Sequence, residues 1–369
     1  MRLFFIVVLL IWTLMHVYVL HRMGQAPFIS HHVPSWALIA AGILLGSSYI
    51  SARFMERAGL GGISHVLEYV GANWIGILFL LLVSFFAADL ISLFGFALKA
   101  HVSTLRTTSL VVAIGLIVIS FAQAWRTPVV TEYEVAMPGL PREADGTVMI
   151  VASDMHMGSM LSHRWATARA RQFASLKPDF IVLAGDIFEA EEATHAEWLP
   201  VLQQFRAPKG IFIVTGNHEL YGGPEPIIEE FKRAGFNVLR DESAEVLPGL
   251  VIAGVDDVAF RRRDKNAAMA AVDRALADRP RGATIFVSHT PVYQQRAAEL
   301  GANLMLSGHT HNGQIWPFTY IVRMVFPLIN GRYDVNVMTA ITGRGTGTWG
   351  PRMRLWKRSE LLKITLRAA

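Results

Sequence analysis

Four long apolar runs crowd into the first third of this chain, and they constrain its fold more than any other feature. Their approximate limits are Leu3–Leu20, Trp36–Ile50, Ile75–Phe96 and Leu110–Ala124. Hydrocarbon offers the backbone no hydrogen-bond partner, so a run of about 18–20 apolar residues satisfies its own peptide groups as a bilayer-spanning helix. The second run is short and interrupted by Gly42, Gly46, Ser47 and Ser48. The first has one basic residue, Arg2, ahead of it. Its exit, Tyr18-Val-Leu-His-Arg22, has no small-residue cleavage pattern, so it reads as an uncleaved helix. Residues 1–125 therefore read as a membrane domain of about four transmembrane helices. Asp89 lies inside the third run, where a carboxylate is either functional or satisfied by a bundle partner such as Ser92.

From about Arg126 the composition is that of a globular domain, and the remainder of the 369 residues is ample for one core. Pro128 and Pro138-Gly-Leu-Pro141 punctuate an expected linker, 126–146. Apolar, β-branched runs then occur at Val148–Ala152, Phe180–Ala184, Ile211–Thr215, Leu250–Val255, Thr284–Ser288 and Asn303–Ser307, with late runs at Val335–Thr342 and Leu361–Leu366. Helical patterns fall between several of them, at Ser162–Leu176, Glu191–Phe205, Pro224–Arg233 and Asn266–Ala277. This alternation predicts an α/β domain over 147–369, its sheets covered by helices. The chain has no cysteine, which excludes disulfides and thiolate metal sites. The formal charge is +5, and Arg261-Arg262-Arg263 is a compact basic run, either a solvated loop or a contact for anionic headgroups or a phosphorylated substrate. No zinc-finger spacing, basic helix or RNA-binding aromatic motif is present, so no nucleic-acid-binding domain is expected.

The strand ends carry the chemistry. Val148–Ala152 runs into Ser153-Asp154-Met-His156, Phe180–Ala184 into Gly185-Asp186, and Ile211–Thr215 into Gly216-Asn217-His218-Glu219. Thr284–Ser288 runs into His289, and Asn303–Ser307 into Gly308-His309-Thr-His311. Ligands bind at the carboxyl ends of strands in open α/β sheets. Asp154 and His156, at i and i+2, point to one side of an extended chain and can share an ion; so can His309 and His311. Asp186 has two oxygens with which to bridge ions, and Asn217 adds a ligand without adding charge. Imidazole with carboxylate suits Mn²⁺, Fe²⁺ or Zn²⁺ better than an all-oxygen Ca²⁺ or Mg²⁺ cage.

The order D-x-H, G-D, G-N-H-E, H, G-H-x-H over about 148–315 resembles the calcineurin-like metallophosphoesterase superfamily. The pieces GNHELYGG, SHTP, SGHTHNGQIWP and the tail TGRGTGTWGPRMRLWKRSELLKITL resemble its membrane-associated bacterial branch, the transmembrane metallophosphoesterases. The resemblance implies a four-layer α-β-β-α sandwich of two stacked mixed sheets, and two divalent metal ions. It implies Asp154, His156, Asp186 and His311 around one ion, and Asp186, Asn217, His289 and His309 around the other. It also implies attack by a metal-bridging hydroxide, with His218 acting on the transition state or the leaving oxygen. Glu189, three residues after Asp186, stands where relatives that hydrolyse phosphoproteins carry an Asp that orients this histidine.

Two positions depart from the pattern. Phosphoprotein phosphatases carry Arg directly before the G-N-H-E block, and Thr215 stands here. Without that bidentate clamp the expected substrate is a phosphodiester or pyrophosphate, with a lipid-linked one a specific version. Asn312 replaces a usual Gly, and Asn tolerates a left-handed backbone. Two other classes of function fit the layout. A catalytically silent scaffold would lack ligands, and none is missing. A membrane sensor or transporter would carry several intramembrane charges, and Asp89 stands nearly alone. Counting Lys and Arg sets Arg2, Arg53, Arg57 and Arg126 on one side against Arg22, Lys99 and Arg106, which leans towards a multi-pass cell-membrane protein with a cytoplasmic catalytic domain.

Overall fold

Strand alternation builds the layers of the C-terminal part of the chain. The computed structural model describes residues 2–158, 160–189, 195–221, 223–261 and 264–369. It divides into two units, Met1–Trp125 with Gly350–Trp356, and Arg126–Trp349 with Lys357–Ala369.

Among the described residues, the larger unit has twelve strands: β1 (Val129–Met137), β2 (Val148–Ala152), β3 (Phe180–Ala184), β4 (Ile211–Val214), β5 (Asn237–Val238), β6 (Glu242–Leu247), β7 (Leu250–Gly254), β8 (Ala283–Val287), β9 (Leu304–Ser307), β10 (Gly331–Val335), β11 (Met338–Thr342) and β12 (Glu360–Ala368). They form two six-stranded mixed sheets, in the orders β1-β12-β2-β3-β4-β5 and β10-β11-β9-β8-β7-β6. Side chains at alternate positions sort between two cores. Met149 and Val151 join Phe180, Ile252, Ile285 and Leu306 between the sheets. Ile150 and Ala152 turn instead to Phe173 and Phe231 of the helices outside. Val255, Phe286 and Met305 do the same for the second sheet, against Ala271 and Leu276. Each fully buried aliphatic or Phe side chain contributes about 1.5–3 kcal/mol. The result is the four-layer α-β-β-α sandwich. Its parallel central strands β2, β3, β4 and β7, β8, β9 end on one edge, which is where the strand-end residues gather.

Three segments differ from the sequence reading. The expected linker 126–146 contains β1, which pairs in parallel with β12 along its whole length. Its alternation is carried by Thr131, Tyr133 and Val135 between charged Glu132 and Glu134, which reads as polar linker. The late run at Val335–Thr342 is two strands, because Asn336 adopts φ 54° and turns β10 antiparallel into β11. The helical pattern over Glu191–Phe205 is a 3₁₀ turn, His195–Trp198, followed by one short helix, Leu199–Leu202; residues 190–194 lie outside the described residues.

Helices of the smaller unit are α1 (Arg2–Gly24), α2 (Pro27–His32), α3 (Ser35–Arg57), α4 (Gly61–Ile91) and α5 (Val102–Trp125). Among the described residues, four helical stretches, Ile6–Gly24, Ser35–Arg57, Gly61–Ile91 and Lys99–Trp125, are long and apolar enough to cross a membrane. Val19, Trp74, Leu78, Phe85 and Leu110 pack at their centre. The Asp89 carboxylate is held here, and not by Ser92, whose hydroxyl donates to the backbone carbonyls of Ala88 at 2.9 Å and Asp89 at 3.3 Å. Tyr18 Oη donates to Asp89 Oδ2 at 2.6 Å, and Arg22 donates through Nε at 2.8 Å and lies 2.8 Å away through Nη2. The stretch Gly350–Trp356 belongs to this unit: Arg352 N donates to Asn73 Oδ1 at 2.9 Å and Arg354 N to the Ser120 carbonyl at 3.0 Å.

The other helices of the larger unit are α6 (His163–Ser175), α7 (Leu199–Leu202), α8 (Asn217–Leu220), α9 (Glu225–Arg233), α10 (Lys265–Ala277), α11 (Gln294–Glu299) and α12 (Phe318–Val325). In α6, α9 and α10 apolar stripes face the sheets.

Candidate metal centre

Backbone conformation at the strand ends turns the polar side chains inward. Asp154, His156, Asp186, His309 and His311 all have positive φ, between 46° and 69°. Left-handed backbone costs a non-glycine residue about 1–3 kcal/mol and persists only where the surroundings enforce it. Asn312, which replaces the usual Gly, also takes this conformation, with φ 54°. Glycine is required where backbones close up: a Cβ on Gly216 would lie 2.1 Å from Asp186 Oδ1, and one on Gly308 2.4 Å from Asp154 Oδ2.

The structure brings together the sequence-predicted residues in three overlapping groups. They are Asp154, His156 and His311; His156, Glu189 and His218; and Asp186, His289 and His309, each with ligand atoms within 4.8 Å of one another. His156 Nε2 and His311 Nε2 face each other at 3.1 Å, and His311 Nε2 lies 3.3 Å from Asp154 Oδ1. His289 Nδ1 faces the Ala184 carbonyl at 2.7 Å, so that nitrogen carries the proton. Its Nε2 faces Asp186 Oδ2, 3.1 Å away. Imidazole nitrogens converging with carboxylate oxygens are the donor set of a transition-metal site. Asn217 Oδ1 and Asp154 Oδ2 are also buried with no hydrogen-bond partner. Buried polar atoms without partners are costly, so this donor set fits the divalent ions that it would hold.

The remaining oxygens of the two aspartates fix the loops. His309 N donates to Asp154 Oδ1 and His218 N to Asp186 Oδ1, both at 2.9 Å. Burial raises the Asp186 carboxyl, but the charges of His289, His218 and His156 outweigh it and hold the group well below the usual range. Glu189 lies 3.1 Å from both His156 Nδ1 and His218 Nδ1. Burial pulls His218 down, yet the Glu189 hydrogen bond and the Asp186 charge raise it to about 9. Burial raises Glu189, but the charge and hydrogen bond of His156, with those of His218, lower it to about 2.

Two acidic residues escaped the sequence reading. Glu219 is buried and accepts from the backbone N–H groups of Asp186, Ile187, Phe188 and Gly216 at 2.7–3.0 Å. It thereby ties the Asp186 loop to the Asn217 loop. Asp257, just past β7, is fully buried; Thr290 Oγ1 donates to its Oδ1 at 2.6 Å, while its Oδ2 has no partner. Asp186 and then Asp154 raise His289 against its burial, and the Asp257 charge adds to them; at His309 burial dominates and lowers the group overall, with Asp257 opposing it. The signal was present: β7 ends in Asp256-Asp257, as its neighbours end in ligand-type residues. Asp256 accepts from Thr215 Oγ1 at 2.8 Å, and Arg240 and Arg261 also pair with it. Thr215 is thus tied to the sheet edge and offers a phosphate no guanidinium. Arg262 and Arg263 lie outside the described residues.

Mixed sheets in an α-β-β-α sandwich, with paired Asp–His clusters on one edge, define a metallophosphoesterase architecture. The family described as calcineurin-like phosphoesterase matches residues 148–313. A metallophosphoesterase of Aquifex aeolicus is 30% identical over 240 residues, covering 64% of this chain and 91% of the relative. A transmembrane protein with metallophosphoesterase domain from Bos taurus is 30% identical over 271 residues, 69% of this chain and 60% of that protein. A metallophosphoesterase of Campylobacter jejuni is 27% identical over 260 residues, covering 70% of this chain and 68% of the relative. This chain belongs to the calcineurin-like metallophosphoesterase family, and it joins that domain to four candidate transmembrane helices.

Proposed function

We propose that this chain is a membrane-anchored phosphoesterase that uses two divalent ions, Mn, Fe or Zn, to hydrolyse phosphodiester or pyrophosphate bonds, in particular those of a lipid-linked substrate. The observation that carries the reading is the convergence of ligand-type side chains from five strand ends, among which Asp154 Oδ2, Asn217 Oδ1 and His289 Nε2 are buried without hydrogen-bond partners. Asp154, His156, Asp186 and His311 would hold one ion, and Asp186, Asn217, His289 and His309 the other. Ions bound there would lower the pKa of a water and neutralise charge on the phosphoryl oxygens.

The chain's own residues supply the rest. The Ala184 carbonyl fixes the His289 tautomer, so that Nε2 is free to ligate. Glu189 orients His218, which carries a proton to the leaving oxygen. Thr215, held by Asp256, gives no bidentate grip on a phosphate dianion, which favours diesters and pyrophosphates over phosphoprotein monoesters. The lysine and arginine count, four against three, supports a cytoplasmic catalytic domain on the cell membrane.

The test is metal analysis of the purified full chain, together with hydrolysis of bis(4-nitrophenyl) phosphate. The expected result is close to two transition-metal ions per chain, and activity abolished by chelation and restored by Mn²⁺. A chain that binds no metal after Mn²⁺ reconstitution overturns the reading.

A further inference from the structure

One helix of the larger unit breaks the rule that the others follow. The stretch Trp316-Pro-Phe-Thr-Tyr-Ile-Val-Arg-Met-Val-Phe326 has no acidic residue, and Arg323 is its single charge. It forms α12, which buries none of its residues. Phe318, Ile321 and Val325 recur at helical spacing along one face, beside Met324, the most exposed of them at 87%. By contrast, α9 buries Ile227, Ile228 and Phe231 against the sheet. A contiguous apolar face left in water marks a contact surface.

Its position gives that surface a purpose. The segment follows the His309–His311 block after four residues and ends at Phe326, whose ring lies 5.2 Å from the His309 ring. Gln314, two residues before it, exchanges two hydrogen bonds of 3.0 Å with the backbone of Trp349. Trp349 is itself exposed, and its ring lies 6.2 Å from that of His218. An apolar, aromatic rim therefore runs beside the histidines of the candidate site.

We propose that α12 docks on the surface of a lipid bilayer, so that the site beside it takes the phosphodiester or pyrophosphate of a membrane lipid at headgroup depth. The proposal rests on the phosphoesterase reading above. A bilayer is the occupant because the same chain carries four helices able to cross one, so lipid is always within reach. The composition agrees. Apolar and aromatic side chains with a cation and no acid are what an interfacial helix presents to lipid. Tyr320 and Trp316 favour that depth, and Arg323 complements lipid phosphates.

The chain has no cysteine, so Met324→Cys gives a single attachment point. The full-length variant, labelled with bimane, is placed in nanodiscs of phosphatidylcholine and phosphatidylglycerol, with a Glu229→Cys variant on the exposed face of α9 as reference. The expected result is that doxyl-labelled phosphatidylcholine quenches the label at 324 and aqueous iodide does not, with the reverse at 229. A label at 324 quenched by iodide as strongly as the reference, and indifferent to doxyl lipid, overturns the proposal. So does a label quenched by neither, which would mean that protein, such as a second copy, covers the helix. Hydrolysis of bis(4-nitrophenyl) phosphate needs no bilayer and tests the underlying chemistry separately. Its absence removes the lipid-substrate half of the proposal, while the quenching alone decides the docking half.

Discussion

His218 sits at the margin of the metal-ligand clusters. Like His156 it turns Nδ1 to Glu189, but it reaches Asp186 through its backbone N–H. A ligand and a proton carrier respond differently to substitution. His218→Asn should leave metal content near that of the parent while kcat falls roughly 10²–10⁴-fold. The loss should shrink for nitrophenolate leaving groups, which need no proton; loss of metal with rescue by added Mn²⁺ would reassign the residue as a ligand. Asp257 poses the converse case, since it acts on His289 and His309 through charge and accepts a hydrogen bond from Thr290. If its carboxylate orients those histidines, Asp257→Asn weakens metal binding by roughly 10–100-fold, the usual effect of removing such a partner. Thr290→Val deletes only the hydroxyl contact and should change metal affinity little. Calorimetric titration of both full-length variants separates the two, and equal losses would make Asp257 a loop anchor.

At the scale of elements, period and composition were legible where both faces of a strand are apolar, as in β2, β3 and β8, and failed where they are not. The strand β1 was hidden because Glu132 and Glu134 face outward between its packing residues. The five strand ends announced themselves by residue type. Asp256-Asp257 at the end of β7 did not, because an acidic pair after a strand also reads as an ordinary turn. Asp89 shows the same limit in the helical unit. Sequence offers only neighbours such as Ser92, whereas its partner Arg22 lies 67 positions away and is found only once α1 meets α4. That pair is nearly buried, with side chains 14% and 5% exposed. Removing one partner of a buried ion pair costs about 3–5 kcal/mol, because the other charge is left alone. Asp89→Asn should therefore lower the thermal stability of the detergent-solubilised chain clearly. The double variant Arg22→Gln with Asp89→Asn should recover much of the loss. A double variant no better than the single one would show that Tyr18 and the aspartate, not charge pairing, hold the helices.

The whole molecule is written for two solvents, and the boundary between them was the plainest feature of the sequence. What composition cannot show is that Gly350–Trp356, far along the chain, groups with the helical unit, since Arg352 and Arg354 find Asn73 and Ser120 only after folding. Sidedness is the remaining global property, and it follows from charge. Four crossings would put both ends of the bundle in one compartment, and the larger unit follows in sequence from the end of α5 at Trp125. Arg2, Arg53, Arg57 and Arg126 flank that face, against Arg22, Lys99 and Arg106 on the other. Lysine and arginine near helix ends are retained on the cytoplasmic side, and acidic residues count little in that bias. A green fluorescent protein fused after Ala369 should then fluoresce in a bacterial host, because it folds in the cytoplasm, while alkaline phosphatase fused at the same point should stay inactive. Active alkaline phosphatase with a dark fluorescent fusion would place the catalytic unit outside the cytoplasm, and the substrate would then have to be sought in the outer leaflet or beyond it.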